Sequence, residues 1–552
     1  MPARPANRPI SFSGGDSCHL TSSLNDGPAA ENSSIQSILW DAMEQDGQGA
    51  GQGIPDCFPD LNLDQIIDTI TAGWEEYDLK PAFYAPLTSV EAVQYRQHCF
   101  RDLLENPGLL QHVRSFTESM RAMRSHLAIS EKRYYKRQKQ AAFLDAIETY
   151  CSATLKLSDG LLSVGPASRG FQALRDFLLK YSASEGFTVL RRETEKVRAD
   201  LADVHYTLHI HQGSVTVNRR DSEDDYSEDV LQTFEKFRQA EPRSHRLKVP
   251  LSMEMNHIEA QILDLVAELH AEAFMHLDEY CDSYRNYCDD RICRFDREVQ
   301  FYIAYLEQME PLTKAGLSFC FPTLSSHSKE IQALDTYDLA LANQLIRARK
   351  DVVQNSFYLK GPERIFVVSG PNQGGKTTFA RTYGQIHYLA ALGCPVPGMA
   401  AKLFLFDRIF THFEKEEDIQ NLRGKLEDEL VRIHEILGKA TSSSILIMNE
   451  SFLSTTMNDA LFLSRQVMKR VAALDMLCVT VTFLDELATI NEKTVSMVSM
   501  VYPEDPQRRT FKVIRRPADG LAYATAIAEK YHLTYDSVRT RIDARQSEVS
   551  RS

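Results

Sequence analysis

One stretch limits the possible folds of this chain more than any other: Ile365–Arg381, reading IFVVSGPNQGGKTTFAR. Ile365-Phe366-Val367-Val368-Ser369 is an apolar, β-favouring run of the kind that forms a buried strand. Gly370-Pro371-Asn372-Gln373-Gly374-Gly375-Lys376-Thr377 then matches G-x-x-x-x-G-K-[ST] at every fixed position. Thr378-Phe379-Ala380-Arg381 continue as a helix start. Strand, glycine loop and helix N-terminus in that order make a cradle for phosphate: glycine lets backbone N–H groups turn inward, and the helix dipole adds positive potential. The pattern implies ATP, with Gly370 to Thr378 around its phosphates. Lys376 reaches the β- and γ-phosphates, and the Thr377 hydroxyl holds Mg²⁺. A glycine-rich turn with a solvated lysine is the plain alternative. It leaves the buried strand and the threonine without a reason.

The chain is long enough, at 552 residues, for two to four domains around that strand. Its 62 basic and 76 acidic residues give a net charge of −14. Any contact with nucleic acid must therefore come from local patches. The ten cysteines include no C-x-x-C pair, so neither a zinc ribbon nor a dithiol redox site is signalled. Cys281, Cys288 and Cys293 are close in sequence but lack partners at metal spacing, and helix packing accounts for them. No apolar run approaches the ~18 residues of a membrane span, and the N-terminus has no apolar signal core. The cytoplasm is the expected compartment.

Taken in order, Met1 to Pro59 is rich in Pro, Gly, Ser, Asn and Asp, and is expected to be disordered. Within it, Ile35–Met43 (IQSILWDAM) reads either as a docking helix or as an incidental apolar cluster. From residue 60 to about 325 the pattern is helical. Leu63, Ile66, Ile67 and Ile70 mark one helix face, and Thr88 or Ser89 caps a helix carrying Val93, Tyr95, Arg96, Phe100, Leu103 and Leu104. Between Arg121 and Lys139 lie Arg121, Arg124, Lys132, Arg133, Lys136, Arg137 and Lys139 against one acid, Glu131. A contact with a phosphate backbone is the functional reading, and a solvated helix face is the weightier one. Val204–Ile210 and Val215–Arg219 alternate apolar and polar residues around His211-Gln212-Gly213-Ser214, predicting an inserted β-hairpin within about 200–225. The acidic run Asp221–Asp229 follows as an exposed loop. Asn256 to Glu310 lacks Gly and Pro, with apolar residues at helical spacing. One rod there would be ~80 Å long at ~1.5 Å per residue, a lever rather than part of a compact bundle, and Pro311 would end it. From 326 to 552 strands and helices alternate, predicting a mostly parallel sheet.

Two more strands complete the expected site. Ser444–Glu450 (SILIMNE) ends in a polar pair, where Glu450 can act as base on an attacking water and Asn449 can offer the metal only a neutral amide oxygen. Leu477–Thr482 (LCVTVT) is a third buried strand, whose end is the place for a γ-phosphate sensor.

At this point the chain resembles the MutS family of DNA mismatch-repair ATPases, a branch of the ABC-type ATPases. GPNQGGKTTFAR (Gly370–Arg381) is similar to that family's GPNMGGKST loop. Leu392–Pro397 with Phe406–Thr411 resembles its G-x-x-V-P … D-R-I-F-T segment, and Ile445–Ser451 with Ser454-Thr455-Thr456 resembles its second-acid strand and following turn. The resemblance implies a multidomain α and α/β fold. A long-helix core and lever domain (60–325), bearing a small hairpin in the place of a DNA clamp, precedes a P-loop ABC-type ATPase domain (326–552). It implies a homodimer with two composite ATP sites and levers that close on DNA. The partner's signature segment would lie near Arg423–Leu430. Departures are equally specific. Helical-core sequence starting near residue 61 leaves no room for the family's N-terminal mismatch-reading domain. Asn449 replaces an aspartate, Gly424 or Lys425 stands at the signature serine, and Phe483 stands at a histidine. Slow hydrolysis is the expectation.

The leading function is thus a DNA-binding ATPase whose dimer closes with ATP. The alternative is a nucleotide-gated scaffold that binds ATP and hydrolyses it poorly. A small-molecule kinase is disfavoured, since it needs no long lever and no acceptor pocket is signalled.

Overall fold

The computed structural model describes residues 37–40, 53–131, 133–211, 214–220, 255–414, 424–502, 504–517, 535 and 537–540. The helical half runs through α1 (Phe58–Leu61), α2 (Leu63–Thr71), α3 (Lys80–Tyr84), α4 (Val90–Glu105), α5 (Pro107–Glu131), α6 (Lys136–Val164), α7 (Arg169–Ser182) and α8 (Glu185–Ala202). An antiparallel hairpin follows, β1 (Tyr206–His211) and β2 (Ser214–Arg219), in register from Tyr206 opposite Arg219 to His211 opposite Ser214. Gln212 and Gly213 of its turn, and the acidic run Asp221–Asp229, lie outside the described residues.

The single rod expected from Asn256 to Glu310 is three helices: α9 (His257–Leu269), α10 (Ala271–Ser283) and α11 (Asp290–Lys314). Glycine and proline are not the only breakers. His270 leaves the helical region at φ −115° and ψ 46°. Asp289 then opens α11 by accepting the Arg291 N–H at 2.9 Å, while its own N–H donates to the Tyr150 hydroxyl at 3.1 Å. Side-chain caps of this sort compete with the helix ladder. Nor does Pro311 end the last helix, since it sits inside α11. The stop is a glycine cap one turn on. Gly316 takes φ +87° and donates to the Thr313 carbonyl at 2.9 Å, and Leu317 N–H donates to Leu312 at 3.1 Å. Among the described helices α11 and α5 are equally long at 25 residues and α6 is the longest at 29; α5 and α6 span roughly 38 and 44 Å at 1.5 Å per residue. They pack on each other, and Gly160 permits the approach: a Cβ there would lie 2.5 Å from the His112 ring.

The basic window between them is largely committed to internal pairs. Arg124 bridges to Asp296 and donates to the Tyr77 hydroxyl at 2.6 Å, Arg121 pairs with Glu76 at 2.6 Å, and Lys136 and Arg137 share Asp278 at 2.9 and 2.7 Å. Burial raises the Asp296 carboxyl to about 6 against the pull of Arg124. Lys132 lies outside the described residues.

The expectation of a disordered Met1–Pro59 fails at two places. Met1–Gln36 and Asp41–Gln52 are outside the described residues, but Ser37–Trp40 is seated in the helical half as a bend rather than a helix, with Ile38 wholly buried. Phe58, opening α1, is wholly buried too. Composition averaged over sixty positions hides a short apolar plug whose stabilising partners are all distant in sequence.

The other half begins with β3 (Phe319–Cys320), β4 (Thr323–Ser325), β5 (Ile331–Thr336), α12 (Leu339–Arg347), β6 (Asn355–Leu359), β7 (Ile365–Ser369) and α13 (Lys376–Ala391). It continues through β8 (Val396–Pro397), β9 (Ala400–Phe404), β10 (Ile409–Phe413), α14 (Lys425–Lys439), β11 (Ile445–Asn449), α15 (Met457–Ala473), β12 (Leu477–Val481), β13 (Thr494–Tyr502) and β14 (Asp505–Arg515). Six strands form one sheet in the order β10-β11-β12-β7-β13-β14, parallel except for the last pair. Every residue of β7 and β12 is buried, as a sheet covered on both faces requires. A smaller sheet, β4-β9-β5-β6, packs beside it. Helix α13 joins the two halves. Its Arg381 and Gln385 side chains donate to the Asp60 and Leu61 carbonyls at 2.9 and 2.8 Å, and its Ala391 carbonyl takes the Leu87 N–H at 2.9 Å.

Candidate active site

The central strand β7 delivers the chain into the glycine loop at the carboxyl edge of the sheet, where ligands of open α/β folds collect. Three loop residues take left-handed backbone: Gly370 at φ +115°, Gln373 at +58° and Gly375 at +93°. The turns they make are tight against β13. Ser499 Oγ donates to the Gly374 carbonyl at 2.6 Å, and a Cβ on Gly374 would lie 2.2 Å from that oxygen. The first intrahelical bond of α13 runs from the Phe379 N–H to the Gly375 carbonyl at 2.9 Å. The N–H groups of Lys376, Thr377 and Thr378 therefore precede the helix ladder and have no intrahelical acceptor. This is the anion-accepting end of a helix.

Lys376 is buried at 4% exposure. Its ammonium folds back on the loop, donating to the Gly370 and Pro371 carbonyls at 2.9 and 3.3 Å and to Asn372 Oδ1 at 3.4 Å. The Phe483 ring lies 4.2 Å from the nitrogen. Burial pulls the Lys376 pKa below the ordinary lysine value, the Glu450 charge opposes that, and Arg509 adds to it. Phe483 thus offers no hydrogen bond, as its chemistry dictates, but cushions the lysine as a cation–π partner.

Thr377 and Asn449 meet directly: the hydroxyl donates to the amide oxygen at 2.9 Å. Asn449 ends β11, which is hydrogen-bonded to β12, and β12 to β7. Glu450 follows at φ +54°, its N–H donating to the Val481 carbonyl at 2.9 Å. A non-glycine residue held left-handed costs on the order of 1–3 kcal/mol, and such strain collects at functional sites. The site residues expected from the sequence, Gly370 to Thr378 with Asn449 and Glu450, therefore surround one edge of the sheet.

Several residues around them were not anticipated. Arg509 on β14 donates to the Asn372 carbonyl at 3.1 Å, bringing a second cation to the loop. His412 at the end of β10 bonds Ser451 Oγ at 3.0 Å, next to Glu450. Glu429 on α14 accepts the Phe452 N–H at 2.9 Å, and burial raises its carboxyl. Of the expected signature segment, Arg423 lies outside the described residues, Gly424 caps α14, and Lys425–Leu430 form its first turns. None of these has a short-range signal, because each reaches the site by strand pairing or helix docking across long sequence separation.

The sequence profile of MutS domain V matches residues 366–538. Over 175 residues the chain is 29% identical to the DNA mismatch repair protein MutS of Fervidobacterium nodosum, covering 31% of this chain and 21% of that protein. Over 125 residues it is 34% identical to the DNA mismatch repair protein MutS 2 of Halobacterium salinarum, covering 23% of this chain and 14% of that one. The similarity thus spans a minor part of each relative's length.

Proposed function

Through residues 366–538 the chain belongs to the MutS family, and on that premise we propose that it is a DNA-binding ATPase in which ATP binding and hydrolysis drive closure of a homodimer on DNA. The observation carrying this reading is the loop itself: helix-start N–H groups with no intrahelical acceptor, a buried lysine folded beside them, and Thr377 set against Asn449. The backbone from Gly370 to Thr378 binds the phosphates of ATP, and Lys376 swings from the loop carbonyls to the β- and γ-phosphates. The donor set fits Mg²⁺, since two oxygens, Thr377 Oγ1 and Asn449 Oδ1, already lie side by side; bound there, the cation neutralises phosphate charge. Glu450 accepts a proton from the attacking water at its carboxylate. The DNA partner is carried over from the relatives' names. Among the described residues no helix is long and apolar enough to cross a membrane, and we place the protein in the cytoplasm.

ATP turnover, with and without plain, branched and mismatched duplexes, tests this. Wild type should hydrolyse ATP and bind DNA in at least one nucleotide state, and Lys376→Ala should lose ATP. No DNA binding at low salt in any nucleotide state overturns it. A second reading, an ATP-gated scaffold, is favoured by the neutral Asn449 and by the Phe483 ring beside Lys376. Equal, near-background turnover in wild type and Glu450→Gln would select it.

A further inference from the structure

Ser37–Trp40 lies far in sequence from the helices that hold it, and its backbone is recognised almost group by group. Glu298 on α11 accepts both the Ser37 hydroxyl at 2.7 Å and the Ile38 N–H at 2.9 Å. Ser37 Oγ in turn accepts the N–H groups of Leu39 and Trp40, both at 3.0 Å. Three successive carbonyls each meet a different side chain: Ser37 takes Tyr95 at 2.9 Å, Ile38 takes Tyr302 at 2.7 Å, and Leu39 takes Arg96 Nε at 2.8 Å. Ile38 and Leu39 are 0% and 5% exposed, and the Arg96 guanidinium stacks 4.2 Å over the Trp40 ring. A segment bound this completely is a docked peptide tethered in place.

What it docks on points to a role. Arg96 is fully buried, and its Nη1 donates to the Leu392 carbonyl at 3.1 Å. Leu392 is the C-cap of α13, the helix whose first turn carries Lys376 and Thr377. Its 16 residues make a strut of about 24 Å at 1.5 Å per residue. One arginine thus holds the docked segment with Nε and the far end of the phosphate-binding helix with Nη1. Gly393 keeps that junction close, since a Cβ there would lie 2.7 Å from the Arg96 Cβ.

We propose that Ser37–Trp40 is a latch: seated between α4 and α11, it fixes Arg96 on the C-terminus of α13 and so pre-organises the phosphate loop at the other end. Unseated, Arg96 loses the Leu39 carbonyl and the Trp40 ring. A buried guanidinium left with fewer partners must rearrange, which loosens its hold on Leu392. The latch then couples to nucleotide in both directions, because a coupling free energy is reciprocal. This inference rests on the ATP reading of the loop above.

Trp40 and Trp74 are the only tryptophans in the chain, so full-length Trp74→Phe reports on Trp40 alone. In that background, ATP is expected to protect Trp40 from acrylamide quenching, and Lys376→Ala to abolish the protection. Ile38→Asp is expected to expose Trp40 and to weaken ATP binding by at least about 5-fold, and a synthetic peptide of residues 35–43 to restore the affinity. A folded Ile38→Asp protein with Trp40 exposed and ATP affinity unchanged overturns the latch while leaving the ATP reading standing. Should Ile38→Asp fail to fold, Tyr302→Phe removes one bond to the segment and is read the same way: more quenching without weaker ATP binding overturns the proposal. Failure of the wild type to bind ATP overturns both readings.

Discussion

The Thr377 hydroxyl donates to the Asn449 side-chain oxygen at 2.9 Å, joining the helix that follows the glycine loop to the end of a strand two places away in the sheet. An aspartate at 449 would accept the same bond and add a formal charge where the cation is proposed to sit. Asn449→Asp is therefore expected to tighten Mg²⁺ and raise ATP turnover on the order of 10-fold, the scale on which groups around a metal tune it. A Mg²⁺ titration of turnover checks this, and an unchanged metal dependence would place residue 449 away from the cation.

Ser499 and Gly374 give a test of the loop's shape that does not touch a charged group. Alanine at 374 brings a Cβ to 2.2 Å from Ser499 Oγ, so either that hydroxyl rotates away and gives up its bond to the Gly374 carbonyl or the loop shifts against β13. Gly374→Ala is expected to weaken ATP binding at least about 10-fold, since a cradle displaced by a fraction of an ångström loses several hydrogen bonds together. The double variant Gly374→Ala, Ser499→Ala removes the clashing oxygen and should recover part of that loss. Calorimetric titration of both proteins decides it; no recovery would mean that the backbone around Pro371, not the serine, sets the limit.

Arg124 separates the structural and functional readings of the basic window. It pairs with Asp296, a buried carboxylate, and with the Tyr77 hydroxyl. Breaking a fully buried pair costs roughly 3–5 kcal/mol. Arg124 is about one-third exposed, so Arg124→Gln is expected to cost about 1–3 kcal/mol in urea denaturation. The salt dependence of DNA binding should stay the same. A shallower salt slope in this variant would show that Arg124 contacts phosphate after all.

The sequence carried the parts of this molecule whose causes are local. Continuous apolar runs announced β7, β11 and β12 because a parallel strand is buried on both faces. Period-two alternation announced the hairpin, and the glycines announced the loop. What stayed hidden depends on partners elsewhere in the chain. Asp289 looks like any helix-surface acid until Tyr150 takes its N–H and the helix starts afresh. Ser37–Trp40 reads equally as part of a docking helix or as an incidental apolar cluster until Glu298, Tyr302 and Arg96 are in place around it, and then it docks as a bend. Arg509 and Ser499 reach the loop only because β13 pairs with both β7 and β14. Asn449 and Glu450 were legible as a strand end, but the left-handed backbone at Glu450 was not.

His387 sets a pH dependence on the helix that begins at the loop. It is wholly buried in α13, with Nδ1 donating to the Tyr383 carbonyl at 2.8 Å, and burial pushes its pKa down from 6.5 to about 4. The folded state therefore holds the ring neutral where the unfolded chain would protonate it. A depressed folded pKa contributes stability that is fully present above the unfolded value and is lost as pH falls through the window from 6.5 to 4. The full difference corresponds to about 3 kcal/mol at 1.36 kcal/mol per pH unit. His387→Met keeps the apolar volume and removes the titration, at the cost of the one buried hydrogen bond to the Tyr383 carbonyl. Its unfolding free energy is expected to be lower than wild type at pH 7.5 but to fall less steeply between pH 6.5 and 4, so that the two curves converge. Parallel curves across that window would show that the ring is reached by water in the folded state.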